Sequence, residues 1–142
     1  MSKYKFKKCE GPDYLTRDKS FKYSGNADAV IVPDETISIT SKSFKILKAI
    51  RLGRNVSKVN NNCVECFEVD SSNPFFTAVN GVFYSKNGKT LVAYPSLLNE
   101  TEYIIPDSVT AINSGAFFHS NLEKVIFNKN IRMIGKEAFS GM

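Results

Sequence analysis

The chain repeats a pattern of apolar and polar positions, most clearly near its C-terminal end. Residues 103–120 read YIIPDSVTAINSGAFFHS and residues 125–142 read VIFNKNIRMIGKEAFSGM, so the second row follows the first at an offset of 22. An offset of this size is typical of solenoids, in which each coil buries its apolar edge against its neighbours. The best matched positions of the two rows are Ile104/Ile126, Ile112/Ile134, Ala116/Ala138 and Phe117/Phe139.

The same row occurs earlier in the chain, with less regular spacing. Residues 30–44 read VIVPDETISITSKSF, residues 47–52 read LKAIRL, and residues 64–69 hold a shorter copy. The third apolar residue of each row marks the repeats, and these markers are 20, 17, 36 and 22 residues apart. The 36-residue interval is too long for one repeat, so we predict an insertion there. The markers are Val32, Leu52, Val69, Ile105 and Phe127.

Residues 73–98 are predicted to form a β-hairpin insertion in place of one degenerate repeat. Two β-rich runs flank Asn87-Gly88, a dipeptide suited to a two-residue type I′ turn because both central positions of that turn need positive φ. The resulting register would place Tyr84 opposite Leu91 and Val82 opposite Ala93.

Each row predicts one coil of a short solenoid. Its x-L-x-L part predicts a strand with two inward apolar residues, such as Val30 and Val32 or Ile50 and Leu52. Its A-F pair predicts a short helical or 3-10 turn on the opposite side of the coil. The residues between the inward pairs then form an outward column, which consists of Ile31, Arg51, Glu68, Ile104 and Ile126.

The row IPDSVTAINSGAFFHSNLEKVIF resembles the BspA-like leucine-rich repeat, whose units combine I-P-x-x-V-x-x-I with an A-F pair and a following L-x-x-I. The segment NPFFTAVNGVFYSKNGKTLVAYP resembles the hairpin insertion often found between such repeats, and together they cover about residues 28–142. The resemblance implies an α/β repeat fold, a short right-handed leucine-rich-repeat solenoid with a parallel concave sheet and helical or 3-10 turns on the convex side. It also implies binding rather than catalysis, often by cell-surface proteins that adhere to host or matrix.

Two features depart from the family pattern. The cysteine that commonly follows the A-F pair is His119 in one repeat and is absent from the others, and the chain stops three residues after Phe139. We therefore expect a truncated last repeat, whose uncapped strand edge invites pairing with another chain.

Residues 1–27 fit the repeat poorly and are predicted to be an N-terminal cap or a basic flexible arm, ahead of a solenoid at residues 28–142. The segment Lys3–Lys7 alternates with period two, as in a strand with Tyr4 and Phe6 inward. The N-terminus lacks the apolar stretch of a secretory signal, and no apolar run approaches the ~20 residues that cross a bilayer. The sequence by itself therefore predicts a cytoplasmic protein without a transmembrane segment, whereas the resemblance implies the cell surface.

Composition indicates a globular chain of 142 residues with a net charge of +5, concentrated in two segments. This uneven distribution argues against a nucleic-acid partner. The basic row consists of Lys42, Lys45, Lys48, Arg51 and Arg54, which recur every third residue, and no acid occurs within residues 42–58. It fits a solvated face of two coils, a surface for an anionic partner such as an acidic protein, glycan or phosphate, or a basic amphipathic helix. The apolar residues interleaved with these bases are already assigned to repeat positions, which disfavours the helix.

Candidate partner-binding residues come from the basic row and from the outward column. Ile104 beside Ile126 fits either the ordinary strand preference of β-branched residues or an exposed apolar patch for a protein. Arg51 beside Glu68 predicts a cross-strand ion pair worth roughly a few tenths of a kcal/mol. The candidates are Lys45, Lys48, Arg51, Arg54, Ile104 and Ile126, with Lys124 and Asn128 as flanking contacts.

Residues for catalysis or metal binding are sparse. Cys63-Val64-Glu65-Cys66 is a lone C-x-x-C, whereas a zinc site needs four ligands and only Cys9 and His119 remain as further candidates. No residue stands at a spacing that would make His119 a catalytic base, and neither a phosphate-binding glycine loop nor H-E-x-x-H occurs. We therefore expect no enzyme activity, no metal and no cofactor.

Two functional hypotheses follow. The first is a non-catalytic protein-interaction or adhesion module of a BspA-like surface protein, with a host or matrix protein, or an anionic surface or glycan, as partner. The alternative is an intracellular leucine-rich-repeat scaffold, or a repeat fragment, that self-associates with another copy of itself through its uncapped C-terminal coil.

Overall fold

Short strands recur along the whole chain. The computed structural model describes residues 3–142. Within that range it contains thirteen strands and one 3-10 helix, at Pro12–Tyr14. The strands are β1 (Phe6–Lys8), β2 (Ala29–Ile31), β3 (Ser38–Ile39), β4 (Leu47–Leu52), β5 (Lys58–Val59), β6 (Val64–Val69), β7 (Phe76–Val79), β8 (Val82–Ser85), β9 (Thr90–Ala93), β10 (Glu102–Ile104), β11 (Ala111–Ile112), β12 (Lys124–Ile126) and β13 (Met133–Ile134).

Parallel pairing stacks the coils into a solenoid. Strands β1, β2, β4 and β6 form one parallel sheet in that order, and β10 pairs with β12 in another. The shorter strands form separate sheets, in which β3 pairs with β5 and β11 lies between β9 and β13. Equivalent residues of successive coils are in register, for example Ile31 with Arg51 and Ile104 with Ile126. The predicted parallel β-solenoid is therefore confirmed.

The core runs along the solenoid as two clusters of apolar side chains. Ile50, Leu52 and Phe67 belong to the first cluster, and Ile105 and Phe117 to the second. All five side chains are fully buried. Burial of one such side chain is worth about 1.5–3 kcal/mol, which explains why apolar residues occupy these positions in one coil after another.

The A-F segments are turns rather than helices, which corrects the expectation of helical or 3-10 turns on the convex side. The N–H groups of Ala116 and Phe118 donate to the carbonyls of Asn113 and Gly115 at 3.2 and 3.0 Å, each bond closing a single turn. Gly115 has a φ of 65°. This left-handed residue interrupts the series of i→i−3 bonds, so no regular helix follows.

The insertion contains three antiparallel strands, in the order β7, β8 and β9, instead of the predicted two. Strand β9 also pairs with β11, so the insertion supplies the short strand of its own coil. The two-residue turn with positive φ at both central residues lies at Asn80-Gly81, with φ of 51° and 84°. Of the residues predicted for that role, only Gly88 has positive φ. The type I′ prediction for Asn87-Gly88 is therefore wrong.

Asn87 stays out of the left-handed region because its side chain shapes a longer loop. Its Oδ1 accepts from the Ser85 hydroxyl at 2.8 Å and from the Lys89 N–H at 3.0 Å, as part of a four-residue connection between β8 and β9. Such loops are usually built around a type I turn, which needs no positive φ at the asparagine.

The predicted register of the hairpin agrees with the structure on one side of a β-bulge and is wrong on the other. Tyr84 pairs with Leu91, as predicted, but Ala93 pairs with Phe83 instead of Val82. The register shifts between Phe83 and Tyr84. A bulge adds one residue to one strand of the pair, and sequence alternation alone does not reveal it.

In the N-terminal strand, the side chains predicted to face the core lie on the outward face instead. Strand β1 runs parallel to β2, with Phe6 in register with Ala29 and Lys7 with Val30. Ala29 shares a face with Ile31, so Phe6 lies on the outward face and the expected inward orientation of Phe6 and Tyr4 is wrong. Lys7 tolerates the other face because β1 is an edge strand, and the exposed side chain keeps its ammonium group in water.

An asparagine side chain joins neighbouring coils at the end of β6. Asn73 is buried, and its Nδ2 donates to the carbonyls of Gly53 and Val56 at 2.8 and 3.0 Å. Its Oδ1 accepts from the N–H groups of Phe75 and Phe76 at 2.7 and 3.0 Å. The amide thus satisfies four main-chain groups of the turns that connect the strands.

Candidate partner-binding surfaces

The outward column lies on one surface, which we call the strand face: the solvent-facing side of β1, β2, β4, β6, β10 and β12. Arg51 and Glu68 are in register there and form the predicted ion pair. Nε and Nη2 of Arg51 both lie 3.0 Å from Oε1 of Glu68. Because both side chains are partly exposed, the pair contributes no more than about 1 kcal/mol to stability.

The N-terminal part of the strand face is covered by aromatic side chains. The ring centroid of Phe6 lies 4.3 Å from Cζ of Arg51, and the Tyr4 hydroxyl donates to Oε1 of Glu65 at 3.3 Å. Burial, reinforced by nearby negative groups such as Glu65, raises the pKa of Tyr4 to about 12. Ala29 is fully buried although its register places it on this outward face. Little of this part of the strand face is open to a partner.

The C-terminal part of the strand face is open. Ile104 is 63% exposed, and Ile126 lies beside it on the next strand. Nζ of Lys124 lies 3.9 Å from Oε2 of Glu102, so an ion pair borders the two isoleucines. Tyr103 packs against the core instead, and burial raises its pKa to about 12. The structure therefore brings Ile104, Ile126 and Lys124 together on one surface.

Asn128, the other predicted flanking contact, has its amide engaged inside the chain. Its Nδ2 donates to the carbonyls of Pro106 and Val109 at 2.6 and 3.0 Å, and its Oδ1 accepts from the Asn130 N–H at 2.6 Å. This arrangement repeats that of Asn73 in an earlier coil. The amide holds the turn after β12 against the preceding coil, which leaves neither amide proton of Asn128 for a partner.

The basic row is spread over several surfaces of the molecule. Lys42, Lys45 and Lys48 line three different depressions. Residues 47–52 are strand β4, so the amphipathic-helix interpretation is wrong. A three-residue period gathers side chains on one face of a helix, but in a strand and its flanking turns it directs them to different sides.

Two of the five members of the basic row are paired with acids and three are not. Nζ of Lys48 lies 3.7 Å from Oδ2 of Asp28, and Arg51 belongs to the ion pair described above. Lys45 and Arg54 are exposed, and neither has an acidic oxygen within 4 Å in the described part of the chain. Lys42 is also exposed and also lacks such a partner, so these three lysine and arginine side chains have no ion pair within the described residues.

The cysteines and the histidine do not assemble into a reactive site. All three cysteines are free, and burial raises the pKa of Cys9 and Cys66. His119 adopts a φ of 53°, and its ring lies against Phe118 with the centroids 4.0 Å apart. Between residues 3 and 142, no three histidine, cysteine, aspartate or glutamate side chains are grouped to hold a metal ion. The described range also holds no helix long and apolar enough to span a membrane.

Sequence reasoning missed a groove on the side of the A-F turns, which we call the turn-side groove. It has a volume of about 730 Å³, and its lining includes Phe44, Val59, Val92 and Phe118, with Lys45 among the charged residues. A signal was present in the sequence, because the 17-residue coil that passes beneath it has no A-F pair. The neighbouring coils that form the walls of the groove are identified only by the three-dimensional structure.

Stacked parallel coils with an apolar core and an asparagine at the strand ends define a leucine-rich-repeat solenoid. The BspA type leucine rich repeat region matches residues 15–142 in six copies. The chain therefore belongs to the BspA-type leucine-rich-repeat family, as its sequence indicated. The matched region begins within residues 1–27, the segment predicted as a cap or arm. No curated protein matches the sequence.

Three solved structures share the fold. They are a leucine-rich repeat protein from Eubacterium ventriosum ATCC 27560 (22% identity, TM-score 0.63), the pneumococcal vaccine antigen PcpA (23%, 0.61) and a leucine rich cell surface protein from Faecalibacterium prausnitzii A2-165 (21%, 0.67). The matches cover 82%, 81% and 93% of this chain but 46%, 37% and 38% of those chains. The chain thus spans less than half the length of each of these proteins.

Proposed function

We propose that the chain is a non-catalytic protein-binding module that uses the open C-terminal part of the strand face. The observation that carries the proposal is the exposure of Ile104 beside Ile126 on adjacent strands. Branched side chains held by a sheet form a firm apolar surface, and the Glu102–Lys124 pair at its edge resembles the polar rim of an interface. The N-terminal part of the strand face has less surface accessible to a partner than the C-terminal part, because aromatic side chains lie over it.

Paired substitutions test this surface. Ile104→Lys with Ile126→Lys should leave the fold intact, because both side chains face outward, and should abolish adhesion of the labelled chain to intact host cells or to purified matrix proteins. Ile37→Lys with Val79→Lys is the matched control, since both residues are exposed apolar positions elsewhere. Adhesion that survives the first pair, or that falls equally with the control pair, would contradict the proposal; circular dichroism verifies folding.

We further propose that the module acts at a cell surface. The support is likeness in fold to one structure described as a cell surface protein and another described as a vaccine antigen. Antibody staining of intact source cells, with a cytosolic marker as control, tests the location. We expect signal without permeabilisation. Signal that appears only after permeabilisation would set adhesion aside and favour an intracellular scaffold.

The uncompensated members of the basic row are proposed to attract an anionic partner, such as an acidic protein or a glycan. Lys42, Lys45 and Arg54 supply this attraction, whereas the charges of Lys48 and Arg51 are offset by acids. Lys45→Glu with Arg54→Glu should slow association and reduce its salt dependence. Lys89→Glu with Lys129→Glu makes the same change of net charge elsewhere. Equal effects of the two pairs would assign the attraction to net charge alone.

Self-association through the C-terminal coil is a second candidate function. Phe127 and Ile134 are 46% and 47% exposed, whereas the equivalent Ile105 and Ile112 of the preceding coil are 1% exposed. A further coil, from this chain or from another copy, would cover these side chains. Sedimentation of the chain over a range of concentrations tests the idea. Concentration-dependent dimers that Ile134→Glu abolishes support it, and a monomer throughout contradicts it.

A further inference from the structure

Main-chain hydrogen bonds link the turns of neighbouring coils on the side of the turn-side groove. In each bond, an aromatic residue donates its N–H to the carbonyl of the residue before the equivalent aromatic position in the next coil. These bonds run from Tyr23 to Ser43 (2.8 Å), from Tyr94 to Ala116 (2.7 Å) and from Phe117 to Ala138 (2.7 Å).

The series is interrupted at Phe44. This residue is buried, yet its N–H has no hydrogen-bond acceptor anywhere in residues 3–142. The cause is the next coil, where Val59 and Val64 are five positions apart, against eight for the equivalent Ile39 and Leu47. The shortened segment forms no aromatic turn. Main-chain donors of buried residues are rarely left without a partner.

Two asparagine side chains bridge the gap only in part. Nδ2 of Asn61 donates to the Phe44 carbonyl at 3.4 Å on one wall, and Nδ2 of Asn62 donates to the Tyr94 carbonyl at 3.0 Å on the other. Both amides act here as donors, so neither satisfies the Phe44 N–H. The space that remains is the turn-side groove, whose volume of about 730 Å³ lies in the usual range of ligand sites.

The lining of the groove indicates the chemistry of its occupant. Ile46, which is 67% exposed, and Phe118 supply apolar surface, and Lys45 and Lys136 outnumber the acid Glu137. None of the three charged residues has an ion-pair partner within 4 Å in the described range. The groove is therefore lined by apolar side chains, by Phe44, whose N–H has no acceptor in the described residues, and by an excess of positive charge.

We propose that the turn-side groove binds a peptide segment of a partner protein that carries a small residue, an aromatic residue and a nearby acid. The segment takes the place of the missing A-F turn. Its main-chain carbonyl accepts from the Phe44 N–H, its aromatic ring fills the apolar space, and its carboxylate faces Lys45 and Lys136. Buried aromatic anchors carry most of the binding energy in contacts of this kind. This site is separate from the strand face and does not rest on the function proposed for that surface.

The unpaired state of the Phe44 amide can be tested in the free protein. We expect the Phe44 amide to exchange with deuterium faster than the amides of Tyr23, Tyr94 and Phe117, which are hydrogen-bonded. Equal protection of all four amides would overturn the proposal, because Phe44 would then already have an acceptor.

A peptide titration tests binding directly. The probe copies residues 112–121 with His119→Glu, and the control peptide carries Phe117→Ser in addition. With the isotope-labelled full chain, we expect the probe to shift the Phe44 amide resonance downfield, with saturation and a dissociation constant of about 0.1–1 mM for a contact that rests on one anchor. An unmoved Phe44 resonance, or equal shifts with the control peptide, would overturn the proposal.

Matched variants separate the groove from the strand face. Ile46→Glu should weaken probe binding at least about tenfold, since it places a carboxylate at the rim that the acidic probe must approach. Ile104→Glu introduces the same charge at a similarly exposed isoleucine of the strand face and should leave probe affinity unchanged. Equal weakening by both variants would overturn the groove site. Loss of adhesion in the Ile104 variant with normal probe binding would concern the strand face alone.

Discussion

At the scale of single residues, the hydrogen bonds of the main chain decide what several polar side chains do. Asn73 and Asn128 occupy equivalent turns, and each donates its amide protons to two carbonyls of the preceding coil. The difference between them is burial, because Asn73 is inaccessible to water and Asn128 is half-buried. Where water reaches the carbonyls, it substitutes for a lost amide. Where it does not, the groups remain unpaired.

Replacement of the two asparagines by alanine should therefore have unequal effects. We expect Asn73→Ala to lower the free energy of unfolding by about 2–4 kcal/mol, since four main-chain groups lose a fully buried side-chain partner. Asn128→Ala should cost about 1 kcal/mol. Urea unfolding of the two variants beside the parent chain measures both. Similar losses at the two positions would contradict this account of burial.

The aromatic residues Phe117 and Phe118 are adjacent in sequence but differ in role. Phe117 is fully buried, with its ring 5.4 Å from that of Tyr94 and 5.1 Å from that of Phe139. Phe117→Ala should lower the free energy of unfolding by about 3–5 kcal/mol through the cavity it leaves. Phe118→Ala, at a partly exposed position, should cost less than about 1 kcal/mol. Thermal and urea unfolding measure the contrast, and a larger effect at Phe118 would contradict it.

Sequence reasoning succeeded at the residue scale where a relation recurs once per coil. Arg51 and Glu68 pair across β4 and β6 as predicted, because the strand register repeats with the apolar markers. The amide bonds of Asn128 could not be predicted in this way. Their acceptors are the loop carbonyls of Pro106 and Val109, whose positions depend on how two coils stack.

The phase of the N-terminal strand shows a second limit of sequence reasoning. Alternation identifies which residues share a face of a strand but not which face is buried. Tyr4 and Phe6 were expected inward because they are the apolar residues of the segment. They lie on the strand face, where Arg51 and Glu65 bind them, and Lys7 tolerates the other face at the edge.

At the scale of elements, the hairpin insertion shows how neighbouring side chains select a turn. The chain has two Asn-Gly dipeptides in the insertion, at residues 80–81 and 87–88, and either one fits a type I′ turn by sequence alone. Only Asn80 adopts positive φ. Asn87 instead accepts hydrogen bonds from Ser85 and Lys89, which fix a longer loop. The dipeptide indicated a turn correctly, but these local side-chain bonds determined its type.

The two glycines of these turns should differ in their tolerance of alanine. Gly81 and Gly88 both have positive φ, so alanine costs about 1–2 kcal/mol at either position. A Cβ at Gly81 would also lie 3.2 Å from Sγ of Cys66, whereas a Cβ at Gly88 would make an ordinary contact with Ser108. We expect crowding to add about 1–3 kcal/mol to the cost of Gly81→Ala alone. Urea unfolding compares the two variants, and equal costs would show that the Cys66 side chain moves aside freely.

At the scale of the whole molecule, stacking makes stability depend on neighbours along the solenoid axis. Each coil buries its apolar edge only if the next coil covers it, so equivalent residues contribute differently in different coils. Ile112 lies between β9 and β13 in its sheet, whereas Ile134 lies in the last strand of that sheet and is nearly half exposed. The repeat pattern predicted that both positions are apolar. The difference in burial comes from their places in the stack.

Substitution of these two isoleucines tests the nearest-neighbour account. Ile112→Ala should lower the free energy of unfolding by about 2–5 kcal/mol because it opens a cavity between covered coils. Ile134→Ala should cost about 1 kcal/mol or less, since much of its side chain already contacts water. Hydrogen exchange provides a second readout. Amides of residues 124–134 should exchange through local opening, and those of β4 and β6 only through global unfolding. Equal costs for the two isoleucines, with uniform protection along the chain, would mean that this solenoid folds as one cooperative block in which a coil's position does not affect its stability.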